Sequence, residues 1–252
     1  MDHVPILLPP DFVTEIAVLA RRYRRANGPV MALVNRLGGS LESQLAMIPA
    51  SYRARLEGVV SQALEASYGL AGQGARLPDM GARGPVVAAM VSGAAGGAGG
   101  LLTSMAELPV TITVILHAIQ REAAEAGYDP REDWVRAECL RVFGAGSPLA
   151  YDDGVNTSFL SARLTITGPA LQKIIATVAP KLAAALGQKL MAQAVPVIGA
   201  VAGAALNAAF VNYYAEIARI RFALLRISEA HGVEPVLAAF ASAVEPARIA
   251  KG

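Results

Sequence analysis

The chain has 252 residues, of which 54% are hydrophobic and only 17% charged, with a mean hydropathy of +0.43. This composition excludes a disordered or collagen-like chain, because such chains lack the apolar mass for a packed core or follow a glycine period. The net charge is only +2, so we expect no nucleic-acid partner, which would require a concentrated basic stripe.

Proline and glycine divide the N-terminal third into three predicted helices. The first has Asp11 as its N-cap and runs to about Asn27, where a Gly-Pro pair stops it. The second covers residues 30–47, and the third follows Pro49 and ends at Gly69. Apolar side chains recur on one face of the third helix, at Tyr52, Leu56, Val59, Val60, Ala63 and Leu64. This spacing predicts a helix that packs against a core.

Residues 71–85 form the predicted linker, and the charge distribution changes after them. Residues 84–106 and 190–215 contain no charged side chain, and each run is long enough to cross a hydrocarbon core about 30 Å thick. Glycines four residues apart, which allow helix backbones to approach closely, occur at Gly93/Gly97, Gly96/Gly100 and Gly199/Gly203. Two interpretations are open: a buried helix pair at the centre of a bundle, or insertion into lipid.

The segment after the first uncharged run has the clearest helical period. Its apolar stripe consists of Met105, Leu108, Ile112, Ile115 and Ile119. We predict that Pro109 occupies the first position of the regular helix and that Gly127 ends it. Asp129, followed by Pro130, is the predicted N-cap of the next helix, which ends near Gly144.

The C-terminal third also has helical periodicity. A helix opens after Pro169, and a longer one follows Pro196 and ends near Gly232. The stripe of the longer helix consists of Tyr213, Ile217, Ile220, Leu224 and Ile227. Residues 161–167 alternate like a strand but are too few to form a sheet. The predicted fold class is all-α: a single compact multi-helix bundle with a central Gly/Ala-rich helix pair and no significant sheet.

A cluster of arginines ends the first predicted helix, at Arg21, Arg22, Arg24 and Arg25. One interpretation is contact with phosphates, either those of lipid headgroups at a membrane surface or those of a nucleic acid. The other is a solvated helix end, where cations interact favourably with the negative end of the helix dipole.

Two polar residues, Glu107 and Asn207, interrupt apolar stretches. Burial of an unpartnered polar group costs a few kcal/mol, so we expect both side chains to form hydrogen bonds. They are candidate ligand-binding residues together with His117, and the alternative is structural. In that case Glu107 forms a capping box with Ser104, and Asn207 joins two helices.

The sequence contains no recognisable catalytic or cofactor-binding motif. It lacks the phosphate-binding loop spacing and the Gly-x-Ser-x-Gly hydrolase motif, and its three histidines are too dispersed for a metal site. We therefore predict no cofactor and no bound metal, and no catalytic residue can be named. The single cysteine, Cys139, excludes an internal disulfide, indicates a cytoplasmic protein, and is predicted to be a buried structural thiol.

Two blocks of residues together resemble the EcsC family of bacterial proteins. The first comprises Glu107-Leu108-Pro109, Leu116-His117-Ala118-Ile119, Ala126-Gly127-Tyr128-Asp129-Pro130 and Leu140-Arg141-Val142-Phe143; the second comprises residues 196–204 and Asn207. Glu107 stands where the family pattern has Asp. The resemblance implies a helical domain over residues 49–246, preceded by a helical extension over residues 1–48. It carries no catalytic residues, and the family takes its name from a gene that accompanies a transporter operon associated with secretion.

The leading hypothesis is a non-enzymatic, membrane-associated or lipid-binding protein at the periphery of the inner membrane, linked to transport or secretion. Its expected partner is an anionic lipid surface or a second protein. The alternative is a soluble enzyme or hydrophobic-ligand-binding protein with a pocket around Glu107. A third hypothesis is a helical scaffold that docks a partner protein through an exposed apolar patch.

Overall fold

The computed structural model describes residues 10–26, 50–72, 100–144, 172–180, 183, 186 and 196–244. The helices with named bounds are α1 (Pro10–Ala26), α2 (Ala50–Gly72), α3 (Gly100–Glu125), α4 (Asp133–Gly144), α5 (Pro196–His231) and α6 (Val233–Val244). Residues 172–180 form a further helical segment. No strand occurs in the described part of the chain, and the predicted all-α bundle is confirmed.

The first and third predicted helices are present as α1 and α2, with small differences at their ends. α1 begins at Pro10, one residue before the predicted N-cap Asp11, because the missing N–H of a proline is tolerated in a first turn. α2 continues beyond the predicted end at Gly69 and enters the predicted linker 71–85. Its buried side chains are Leu56, Val60, Ala63 and Leu64, which confirms these four positions of the predicted inward face. Val59 is partly buried, and the side chain of Tyr52 lies outside the described part of the structure.

The two uncharged runs are only partly within the described residues. Most of run 84–106 lies outside them, as do the predicted segments 30–47 and 161–167, so the central pairing of the two runs stays a prediction. The domain boundary between residues 48 and 49 also stays a prediction. Run 190–215 is described from Pro196 onward, as the N-terminal part of α5. None of the described helices combines the length and the apolar character needed to cross a membrane.

The position of Pro109 corrects one prediction. The proline lies well inside α3 rather than at its first position, because the helix already begins at Gly100. An interior proline removes one backbone hydrogen bond and crowds the preceding turn. Around it, the stripe residues Leu108, Ile112, Ile115 and Ile119 are all 0% exposed. Burial of this face offsets the cost of the proline, so one continuous helix forms.

Gly127 ends α3 as predicted. Its φ of +95° lies in the left-handed region, and its N–H donates to the Ala124 carbonyl at 3.0 Å. The N–H of Tyr128 donates to the Ala123 carbonyl at 3.0 Å. These two bonds form a Schellman C-cap, which satisfies carbonyls that the helix itself leaves without a donor.

Asp129 does not cap the following helix, which corrects a second prediction. Its carboxylate accepts hydrogen bonds from the Arg131 backbone N–H at 2.9 Å and from the Arg131 guanidinium at 2.7 Å. These bonds lower the pKa of Asp129 to about 2. Since the carboxylate is occupied within its own turn, the helix starts later: α4 begins at Asp133, and the Glu132 carbonyl accepts the Arg136 N–H at 3.0 Å.

Two glycines provide a matched test of backbone conformation. An added Cβ would meet no atom within 4 Å at either Gly58 or Gly127, so packing does not distinguish them. Gly127→Ala is expected to lower the free energy of unfolding by about 1 kcal/mol, because a left-handed φ crowds a Cβ. Gly58→Ala, within α2, is expected to raise it by about 0.5–1 kcal/mol. Urea denaturation measures both, and shifts of the same sign would contradict this account.

α5 is the central helix of the described bundle, with 36 residues that contact α1, α3, α4 and α6. Its predicted stripe is confirmed, since Tyr213, Ile217, Ile220, Leu224 and Ile227 are all buried. The middle of α5, from Phe210 to Phe222, packs into a large core with α2, α3, α4 and the described residues of 172–180, 183 and 186. The C-terminal part packs with α1 and α6 in a second core. Gly232, with a φ of +83°, ends α5 where it was predicted to end.

Candidate functional site

The arginine cluster occupies the last turns of α1, and helical geometry separates its side chains. Leu19 and Ala20 are buried, and Tyr23 packs against both cores. The tyrosine ring lies 5.9 Å from that of Phe240, measured between centroids. Because these residues anchor one side of α1, the neighbouring arginines are directed to its other sides.

Arg22 connects α1 to the central helix. Its guanidinium donates to Glu216 Oε1 at 3.1 Å, and Arg219 donates to the other oxygen of Glu216 at 3.2 Å. Arg219 also donates two hydrogen bonds to Glu122 of α3, at 2.8 and 2.9 Å. Burial raises the pKa of Glu122 despite this arginine. A chain of ion pairs therefore joins α1, α5 and α3 along one side of the bundle.

Arg24 contacts the C-terminal end of α6. Its guanidinium donates to the Ala243 carbonyl at 2.5 Å, in the final turn of α6. Carbonyls in a last turn have no helical donor, so Arg24 caps α6 and ties it to α1.

Arg21 and Arg25 remain exposed and form no ion pair with any described residue. They share what we call the outer face of α1, which consists of Val13, Val18, Arg21 and Arg25 at helical spacing. Val13 is 54% exposed and Val18 is 39% exposed. The outer face therefore combines two exposed apolar side chains with two available guanidinium groups.

A cleft of about 340 Å³ lies between the end of α1 and the middle of α5. Its lining residues are Arg22, Arg25, Ala26, Asn212, Tyr213 and Glu216. Tyr213 is 7% exposed, and burial raises its pKa, with a smaller contribution from Tyr23. Its hydroxyl therefore stays protonated at ordinary pH and is available as a donor.

The residues predicted to form a pocket are placed on two helices. Glu107 lies on α3, but its side chain is outside the described part of the structure. His117 is half-buried on α3, and Asn207 is 0% exposed on α5. Neither His117 nor Asn207 lines the arginine-containing cleft, and the ligand-binding role of all three residues stays a prediction. Cys139 is fully buried, and burial raises the pKa of its thiol, as expected for a structural cysteine.

Sequence reasoning did not find the buried ion pair between α4 and α5. Arg221 donates to Glu138 Oε2 from Nε at 3.0 Å and also from its terminal nitrogen. Arg141 pairs with the other oxygen of Glu138. The signal was present, since Arg221 stands between Ile220 and Phe222 on a helix with an apolar stripe. Asn212, Tyr213 and Glu216 were also not foreseen as cleft residues, because a cleft between two helices has no sequence pattern.

Comparison with curated proteins and with solved structures finds no significant match to this chain. The model of the EcsC protein family matches residues 81–227, which is more than half of the chain. This range includes α3, α4 and most of α5, together with the residues Asn212, Tyr213 and Glu216 of the cleft. The chain therefore belongs to the EcsC protein family.

Proposed function

We propose that the protein binds anionic membrane surfaces peripherally, through the outer face of α1. The observation that carries the proposal is that Arg21 and Arg25 are exposed beside Val13 and Val18, with no ion pair to any described residue. Within the described side chains of α1, the one acidic residue is Glu15, which pairs with Arg226 at 2.7 Å. A face that combines arginines with apolar side chains suits the interface between headgroups and acyl chains.

The expected affinity is modest and dependent on salt. A basic side chain near an anionic leaflet contributes about 1 kcal/mol, and this attraction decays within a Debye length of about 10 Å at 0.1 M salt. Two valines add only a small apolar contribution. Such binding is reversible, and it fits a protein that associates with a membrane without spanning it. A role beside transport or secretion machinery is part of the same proposal and rests on the family resemblance.

Vesicle flotation tests this function. The full chain is expected to float with phosphatidylglycerol vesicles at low salt and to stay at the bottom of the gradient with phosphatidylcholine vesicles. Arg21→Glu changes the charge of the outer face by two units, which corresponds to about 2 kcal/mol and a loss in affinity of about 30-fold.

The matched control for this experiment is Arg55→Glu. Arg55 is exposed on α2 and forms no ion pair with a described residue, so the control makes the same change in net charge at another place. It is expected to float nearly as well as the unmodified chain. Equal loss in both variants would show attraction by net charge alone, and failure of the unmodified chain to float would refute the proposal.

A further inference from the structure

The cleft between α1 and α5 presents a concentrated set of hydrogen-bond donors. Arg22 and Arg25 contribute guanidinium groups, Asn212 an amide and Tyr213 a hydroxyl. We infer that this cleft binds the phosphate group of an anionic lipid headgroup. The inference deepens the proposed function and rests on it for the lipid source of the phosphate.

The charges that line the cleft favour an anion. Its one described carboxylate, Glu216, is already paired on one oxygen with Arg22 and on the other with Arg219. Arg25 has no ion-pair partner among the described residues. The two lining arginines and one lining carboxylate leave a positive charge in excess, and the paired carboxylate presents little field of its own to an incoming phosphate.

The chemistry of the donors suits phosphate oxygens in particular. A guanidinium presents its N–H groups as a planar fork that matches two oxygens of a phosphate. Asn212 is exposed on α5, so its amide is accessible to a ligand. Tyr213 lies deeper and keeps its proton, which permits it to donate. The cleft thus provides charged donors from α1 and neutral donors from α5.

The size and position of the cleft limit the ligand. A volume of about 340 Å³ is at the small end of the range of about 300–1,000 Å³ for ligand sites, which suits a phosphate ester with a short polyol rather than a dinucleotide. Arg25 belongs both to this cleft and to the outer face of α1. A lipid headgroup in the cleft would therefore lie where the proposed membrane-binding face meets the bundle.

Calorimetric titration of the full chain with glycerol 3-phosphate tests the cleft apart from the membrane. We expect binding with a Kd on the order of 1 mM, and a weaker response to inorganic phosphate because the polyol is missing. Arg25→Gln and Asn212→Leu are each expected to weaken binding by about tenfold or more, since each removes a donor from the ligand. Arg55→Gln is the matched control on α2 and is expected to bind as the unmodified chain does.

The outcomes separate the two proposals. Both substituted cleft residues lie at the surface, and thermal melts that match the unmodified chain show that the variants fold. Flotation with vesicles but no binding of glycerol 3-phosphate would overturn the inference of a phosphate site in the cleft. The proposal that the outer face of α1 binds membranes would still hold. Binding of glycerol 3-phosphate without flotation would overturn the inference that the bound phosphate belongs to a lipid. Tighter binding of inorganic phosphate than of glycerol 3-phosphate would overturn it as well. Unchanged affinity in both cleft variants would place the ligand elsewhere and overturn the inference.

Discussion

Glu138→Gln is expected to lower the free energy of unfolding by about 3–5 kcal/mol, which is the usual cost of removing one partner from a buried ion pair. The Arg221 side chain is 1% exposed and that of Glu138 is 6% exposed. Burial lowers the pKa of Arg221 to about 10, and Glu138 opposes this effect. The substitution keeps the shape of the side chain but leaves the buried guanidinium without its countercharge. Urea denaturation followed by circular dichroism measures the change.

Glu125→Gln is the matched control for this prediction. Glu125 also pairs with an arginine, Arg121, at 2.7 Å, but its side chain is 46% exposed. Water screens an exposed pair, so the same substitution is expected to cost no more than about 1 kcal/mol. The double variant Glu138→Gln with Arg221→Met removes both charges and is expected to be more stable than Glu138→Gln alone. Equal effects at positions 138 and 125 would show that burial of the pair has no energetic consequence.

Ile115→Ala is expected to lower the free energy of unfolding by about 2–5 kcal/mol. Ile115 is 0% exposed in the stripe of α3 and belongs to the larger core. The substitution loses the transfer energy of the removed methyl groups and leaves a cavity that close-packed neighbours fill only in part. Denaturation in urea with unchanged m-values would give the free-energy difference directly.

A graded series makes this second prediction more specific. Ile115→Val removes less volume and is expected to cost about 0.5–1.5 kcal/mol. Val110→Ala on the same helix is the exposed control, because Val110 is 52% exposed, and is expected to change stability by no more than about 0.5 kcal/mol. If Ile115→Ala destabilised no more than Val110→Ala, the stripe would not be part of a tightly packed core.

The sequence predictions were most accurate where the interacting residues lie close together along the chain. The stripes of α3 and α5 were predicted because helical period is a local property that a core requires on one face. The stops at Gly127 and Gly232 were predicted for the same reason, since a left-handed C-cap needs a glycine. Pro109 and Asp129 were placed wrongly because local rules compete. Core burial overrides the proline, and Arg131 occupies the aspartate before it can cap a helix.

The candidate site was predicted only in part. The cluster of Arg21, Arg22, Arg24 and Arg25 was recognised from the sequence. The sequence could not show that these four arginines have different surroundings. Arg22 and Arg24 form intramolecular contacts, whereas Arg21 and Arg25 are exposed and form no ion pair with any described residue. The partners Glu216 and Ala243 lie about 190 and 220 positions away along the chain. Their proximity depends on how α1 packs between α5 and α6.

The sequence by itself determined the all-α class, the inward faces of the long helices and the membership in the EcsC family, because each of these depends on local period or on residue identity. Only the tertiary structure decided which charges are paired and which are available. Glu138 and Arg221 are 83 positions apart, and the cleft exists only because the end of α1 lies against the middle of α5. Such contacts follow from the packing of whole helices. Many side chains along the chain contribute to the free energy of that packing, so no short stretch of sequence predicts it.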